Sequence, residues 1–179
     1  MGDLRRKILT VDDTEPNLRL VRALLGGAGY EVITATSGKA GLEAALRENP
    51  DMILLDIMMP DMTGYEVCQR LRADPRTHDT PIIFLTAMHE MEDHLRAVDL
   101  GGDEVLTKPI NKLELVLRVK SLLRLRDAVR TMAAQRLLIH DLLDAYVSHE
   151  AATRFLADTT VPSIEEIRTS STSPTPGPA

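Results

Sequence analysis

Five short apolar runs alternate with longer segments in which apolar residues return every three or four positions. The runs are Lys7–Val11, Glu31–Ala35, Met52–Asp56, Ile82–Thr86 and Glu104–Lys108, rich in β-branched and aliphatic residues and bounded by Gly, Pro or Asp. That pattern predicts strands. The segments Glu15–Ala28, Ser37–Arg47, Gly64–Ala73 and Glu90–Leu100 predict helices; Leu18, Val21, Leu24 and Leu25 make one apolar stripe in the first. Alternating strands and helices imply βαβ units, and so a parallel sheet with right-handed crossovers and helices on both faces. The central strands are apolar almost throughout, as a sheet covered on both sides requires. Local signals agree. Gly26, Gly27 and Gly29 stop the first helix. Ser37 is a cap for the second, Asn49-Pro50 closes it, and Asp74-Pro75 ends the third.

The pattern changes after Pro109. One helix is expected from near Asn111 to about Tyr146, with no Gly or Pro between them. Leu115, Leu122, Val129, Arg136 and Leu143 fall seven apart, and Arg118, Leu125, Met132, Ile139 and Tyr146 follow the same spacing offset by three. This is a heptad seam in which only Arg118 and Arg136 are polar. Such a narrow stripe suits another helix better than a sheet, so a homodimer through residues 115–146 is expected, in preference to a helix folded back on its own domain. A short helix is expected over Ala151–Leu156. From about Thr169 the Ser/Thr/Pro-rich tail cannot bury enough apolar surface to fold. The expected divisions are a domain over residues 1–125, a coiled-coil extension over 126–158 and a disordered tail over 159–179.

Composition narrows the classes. Hydrophobic residues make up 44% of the 179, with no Trp and 3% aromatics, so the core must be aliphatic. A net charge of -6 argues against a dominant nucleic-acid-binding surface. No apolar stretch is long enough to span a membrane, and no signal-like segment is seen. The single cysteine, Cys68, reads as a small core residue in a reducing compartment. A cytoplasmic location is expected, with no membrane and no nucleic-acid partner.

Candidate chemistry gathers at the strand ends. Sites in open parallel sheets form outside the carboxyl ends of the strands. Asp12 and Asp13 follow the first strand, Asp56 ends the third, Thr86 the fourth and Lys108 the fifth. Two carboxylates about 4 Å apart repel by on the order of 4 kcal/mol at an effective dielectric of about 20. Lys108 is one compensating cation. A hard divalent ion on oxygen ligands is the other, and Mg²⁺ is the natural choice. Mg²⁺ needs only one or two carboxylates, which leaves one free as a nucleophile toward phosphorus. Mg²⁺, the Lys108 ammonium and the Thr86 hydroxyl could then each take one equatorial phosphoryl oxygen.

These residue types, and the words around them, resemble the receiver domain of two-component response regulators. Val11-Asp12-Asp13 with Pro16-Asn17, Leu55-Asp56-Ile57-Met58-Met59-Pro60-Asp61-Met62-Thr63-Gly64, Leu85-Thr86-Ala87 and Thr107-Lys108-Pro109 follow that family's motifs in order. The likeness covers about residues 5 to 125. It implies a flavodoxin-like (βα)5 fold, a doubly wound parallel sheet of order 2-1-3-4-5, here with an extended C-terminal helix. It also implies that Asp56 accepts phosphoryl from a histidine kinase or phosphotransfer protein. Asp13 would ligate Mg²⁺ directly, with Asp12 beside it, Asp56 also a ligand and the Met58 carbonyl completing the protein set. Lys108 would pair with the phosphoryl group across a cis bond to Pro109, and Thr86 would move toward it. The chemistry is self-directed, phosphoryl transfer followed by autodephosphorylation, so no turnover enzyme is expected. Val105 stands where the family usually has an aromatic residue. Output is therefore expected to run through the segment 90–100, the fifth strand and the long last helix.

Other readings compete. Gly101-Gly102-Asp103-Glu104 spells most of a GGDEF-type diguanylate cyclase signature, but it opens the last strand of the first domain. Leu142–Ala151 resembles the linker before class III nucleotidyl cyclase domains, with His149 in place of a proline. The alternative function is thus the regulatory portion of a nucleotidyl cyclase whose catalytic domain is absent or supplied in trans. The five histidines show no metal-ligand spacing, and Met58, Met59 and Met62 read as loop packing.

Overall fold

The structure, a computed structural model, describes residues 5–87, 97 and 99–158, with side chains described for all of these but 144, 145 and 147–158. Five parallel strands, β1 (Lys7–Val11), β2 (Glu31–Ala35), β3 (Met52–Asp56), β4 (Ile82–Thr86) and β5 (Glu104–Thr107), form one sheet of order β2-β1-β3-β4-β5. The helices are α1 (Glu15–Gly26), α2 (Gly38–Glu48), α3 (Gly64–Ala73) and α4 (Lys112–Asp158). The expected doubly wound α/β fold is present. Of the helix expected over 90–100, residues 90–96 and 98 lie outside the described residues; Ala97 and Asp99 are helical.

Alternation along the strands sorts the core into two layers. Leu9, Val11, Ile53, Leu55, Ile82 and Phe84 face α2 and α3, where Ala45, Val67, Cys68 and Leu71 complete that side. Ile8, Met52, Leu54, Ile83 and Leu85 face α1 and α4, meeting Val21, Leu25, Leu115, Val119 and Leu123. Each fully buried aliphatic side chain contributes about 2 kcal/mol. β3 and β4 are buried at every residue, as central strands covered on both faces must be. Cys68 is one of these core groups, and burial pushes its thiol pKa up. Phe84 is its layer's largest fully buried side chain, with the Tyr65 ring 5.5 Å from it, centroid to centroid. Val105 is its register partner on β5 and is partly buried on the same layer.

Helix ends follow the expected chemistry. The Ser37 hydroxyl accepts from the Ala40 N–H. Asn49 closes α2 with a left-handed φ of 46°, and Thr63 and Glu66 form a reciprocal capping box at α3. The break expected between Tyr146 and Ala151 is absent: α4 runs unbroken to Asp158. Val147-Ser148-His149-Glu150 holds no Gly or Pro that would stop it. None of the described helices is long and apolar enough to cross a membrane.

The chain divides into two compact units between Val129 and Arg130. In the first unit, ion pairs fasten α4 to the amino edge of the sheet. Arg6 bonds Asp51 at 3.0 Å and Asp127 at 2.8 Å, and Arg126 donates to the Asp51 carbonyl. Leu115, the first residue of the expected seam, is fully buried in the α1/α4 layer, so it faces the sheet and not a second helix. Among the apolar seam residues, exposure starts at Leu125.

The Gly101-Gly102-Asp103-Glu104 run is occupied in building the turn into β5. Gly101 has φ +91°, and a Cβ on Gly102 would lie 2.5 Å from the Phe84 ring. The Asp103 carboxylate accepts from the Ile82 N–H at 2.8 Å and from Arg72 at 3.0 Å, and Glu104 pairs with Arg118 at 2.9 Å. Nothing here favours a cyclase. Gly102→Ala should overpack Phe84 and cost about 2 kcal/mol, read by denaturant unfolding.

Candidate functional site

Asp12, Asp13, Asp56, Thr86 and Lys108 all fall at the carboxyl edge of the sheet. Parallel register brings this about: Val11 pairs with Leu55, Asp56 with Leu85, and Thr86 with Thr107. Strands that start level also end level, so residues distant in sequence meet at one edge.

Asp12 is almost fully buried and both its oxygens accept hydrogen bonds. They accept from the Thr14 N–H at 2.8 Å, from Asn17 Nδ2 at 2.9 and 3.1 Å, and from Lys108 Nζ at 2.8 Å. Asp13 is exposed and accepts a hydroxyl from Thr14 at 3.4 Å. Asp56 is 5% exposed, and one of its oxygens takes the second Lys108 hydrogen bond at 2.9 Å. Carboxylate oxygens of Asp12, Asp13 and Asp56 lie within 4.8 Å of one another. They are the one such metal-competent group among the described residues.

The electrostatics express one shared cation. Burial pushes the Asp56 pKa up, and Asp12 and Asp13 push the same way; Lys108 only partly offsets this. Burial also works against the Lys108 ammonium, but its bonds to Asp12 and Asp56 outweigh that and raise its pKa. Lys108 sees two acids, whereas each acid sees a fraction of one lysine. The cluster therefore holds more negative charge than the protein neutralises, which suits a hard divalent cation.

The peptide bond between Lys108 and Pro109 is cis, and the Lys108 N–H donates to the Thr86 carbonyl at 2.7 Å. Thr86 is buried at the end of β4. Met58 stands on the loop after β3, 59% exposed between buried Ile57 and Met59. Gly64 closes that loop so tightly that a Cβ there would lie 2.3 Å from the Asp56 carbonyl oxygen. Sequence reasoning noted Asn17 only as part of a motif. It gave no role to Asn17 on Asp12 or to Asp61, whose oxygens accept from the Gly38 and Lys39 N–H groups. The Asn17 contact had a faint signal, a polar amide in the first turn of the helix after an acidic strand end; the Asp61 contact had none.

Comparison with known proteins agrees with the fold. Residues 8–120 match the response regulator receiver domain family, and the chain belongs to it. It is 44% identical over 120 residues to response regulator PleD of Caulobacter vibrioides, covering 67% of this chain and 26% of that protein. It is 42% identical over 123 residues to the DNA-binding dual master transcriptional regulator RpaA of Synechocystis, covering 69% of this chain and 51% of that one. The chain thus spans about a quarter to a half of these relatives. Among solved structures, chemotaxis protein CheY4 of Vibrio cholerae superposes with a TM-score of 0.63 at 33% identity, over 65% of this chain and 98% of that one. The chain is therefore a receiver domain homologous to response regulators of two-component systems.

Because the folded-state pKa of Asp56 is raised, its ionised form is a burden on the fold. Between the unfolded and folded pKa the native state holds more protons than the unfolded state, so stability falls as pH rises through that window. Asp56→Asn should be more stable than the native protein at pH 7. The advantage should shrink as pH falls toward about 4, where the unfolded acid protonates, in urea titrations at both pH values.

Proposed function

We propose that this receiver is switched by phosphorylation of Asp56. The observation that carries the reading is the three-acid cluster bridged by the single ammonium of Lys108. The donor is a phosphohistidine on a histidine kinase or phosphotransfer protein. An Asp56 carboxylate oxygen forms the new O–P bond while the P–N bond breaks, its electron pair staying on the imidazole nitrogen. The Lys108 ammonium, which rests between Asp12 and Asp56, moves its charge onto a phosphoryl oxygen. Thr86 offers a hydroxyl from the neighbouring strand end.

Oxygen donors at this spacing, with excess negative charge, fit Mg²⁺. Asp12, Asp13, Asp56 and the Met58 carbonyl would hold it. When bound it neutralises phosphoryl charge that Lys108 alone cannot. Asn17 keeps Asp12 oriented, and near-complete burial of Asp56 limits hydrolysis to the water that the open Asp13 side admits. The phosphoryl group is later lost by autodephosphorylation.

Output passes through α4. From Leu125 onward the seam residues Leu125, Val129, Met132, Ile139, Leu143 and Tyr146 are each 57 to 68% exposed. Six large apolar side chains at heptad spacing are a cost in water unless covered. The covering surface is the same stripe on a second copy, making a homodimer over the part of residues 115–146 that the sheet does not use. Arg136 is the one polar seam residue in this stretch and costs stability while fixing register.

Two measurements test the proposal. Acetyl phosphate with Mg²⁺ should label the native chain and leave Asp56→Asn unlabelled; equal labelling of both overturns the assignment of Asp56. Light scattering should give a dimer mass for the full chain and a monomer mass for a chain ending at Val129, which keeps the Arg126 and Asp127 ion pairs. Arg136→Leu should tighten the dimer by about 1 kcal/mol or more. An unchanged mass on truncation removes the dimer from the account.

A further inference from the structure

The loop between β3 and α3 is held by an element from elsewhere in the chain. Asp61 lies in its middle. One Asp61 oxygen accepts from the Gly38 N–H at 3.1 Å and the other from the Lys39 N–H at 3.1 Å. These are the first two amides of α2, 23 and 22 residues away in sequence. Four N–H groups at a helix start lack partners within the helix. Ser37, the helix's own cap, already takes the Ala40 N–H at 3.1 Å. A helix with a local cap does not need a second acid from a distant loop to begin, so the Asp61 contact serves the loop at least as much as the helix.

The rest of the loop shows why. Its far end is fixed by the Gly64 N–H donating to the Ile57 carbonyl at 2.9 Å and by the Thr63–Glu66 capping box. Its middle rests on α2, where a Cβ on Gly38 would lie 2.9 Å from Met62. Met58, three residues before Asp61, is exposed and is the residue whose carbonyl is assigned to the metal above.

We infer that Asp61 is a positioning residue: by fastening the Met58 loop to the N-terminus of α2 it presets the loop for a divalent cation at the Asp12/Asp13/Asp56 cluster. This rests on the proposed Mg²⁺ site. The two amide bonds hold the Asp61 carboxyl below the usual carboxylate range, so the clasp persists at every pH where the cluster could bind a cation. Freeing the loop adds a conformational cost to each binding event, in the manner of lost outer-shell support around a metal.

The test titrates Mg²⁺ into the full unphosphorylated chain by calorimetry, with thermal melts reporting folding. Asp61→Ala should weaken Mg²⁺ by about tenfold. Asp61→Asn removes the charge but keeps one of the two accepting oxygens, and should recover part of that loss. Ser37→Ala removes the other cap of the same helix without touching the loop. It should lower the melting temperature yet leave Mg²⁺ affinity within about twofold. Hydrogen exchange at Gly38 and Lys39 should speed up in Asp61→Ala. If the native chain binds no Mg²⁺, the metal site itself is wrong and the inference goes with it. If the native chain binds and Asp61→Ala binds equally, only the clasp is refuted. The clasp is also refuted if Asp61→Asn is as weak as Asp61→Ala, since charge alone would then explain the loss, or if Ser37→Ala weakens binding as much.

Discussion

One ammonium shared by two buried acids organises this molecule. Lys108 reaches Asp12 and Asp56 at hydrogen-bond distance from a strand at the far side of the sheet. Without it, Asp12 and Asp56 would lose their one ion-pair partner among the described residues. With it, the cluster folds but stays under-neutralised, and burial, joined by the neighbouring acids, leaves the pKa of Asp56 raised. The same shortage of positive charge that burdens the fold is what the proposed cation and phosphoryl chemistry would draw on. Stability and function draw on one electrostatic term with opposite signs.

That arrangement needs a rigid frame, and the frame is built at both ends of the strands. At the carboxyl edge the loop after Asp56 is pinned by Gly64, by the α3 capping box and by Asp61 on α2. At the amino edge Arg6, Asp51, Arg126 and Asp127 tie β1, the start of β3 and α4 together. β3 therefore carries Asp56 at one end and an α4 anchor, Asp51, just before the other. Leu115, Val119 and Leu123 give α4 a buried face in the core, while residues from Leu125 present an apolar stripe that the sheet does not cover. The apolar spacing is continuous from Leu115, although its first residue belongs to the core and the later apolar ones are exposed.

Much of this was legible in the chain. Alternating apolar runs and helical stripes determined the strands, the parallel sheet and its two covered faces, because strand and helix periods are properties of the backbone. The sheet then determined where Asp12, Asp13, Asp56, Thr86 and Lys108 would meet, since parallel strands end on one edge. The resemblance to receiver domains added the strand order and the cis bond at Lys108-Pro109. The cap at Ser37 and the stop at Asn49 were local, and local chemistry is written in neighbouring residues.

What only the tertiary structure decided were contacts between residues with no sequence relation. Which acid takes the lysine, how Asn17 holds Asp12, where Asp61 fastens its loop, and how Arg126 reaches Asp51 all depend on packing that brings separate elements within about 3 Å, and no periodicity encodes such pairs. The structure also decided that Leu115 belongs to the core and that α4 runs through Val147–Glu150. It further showed Gly101–Glu104 shaping a turn, where sequence alone had left a catalytic signature open. A pattern of residue types fixes which faces are apolar and which ends are charged; only the folded chain fixes which partner each face and each charge finds.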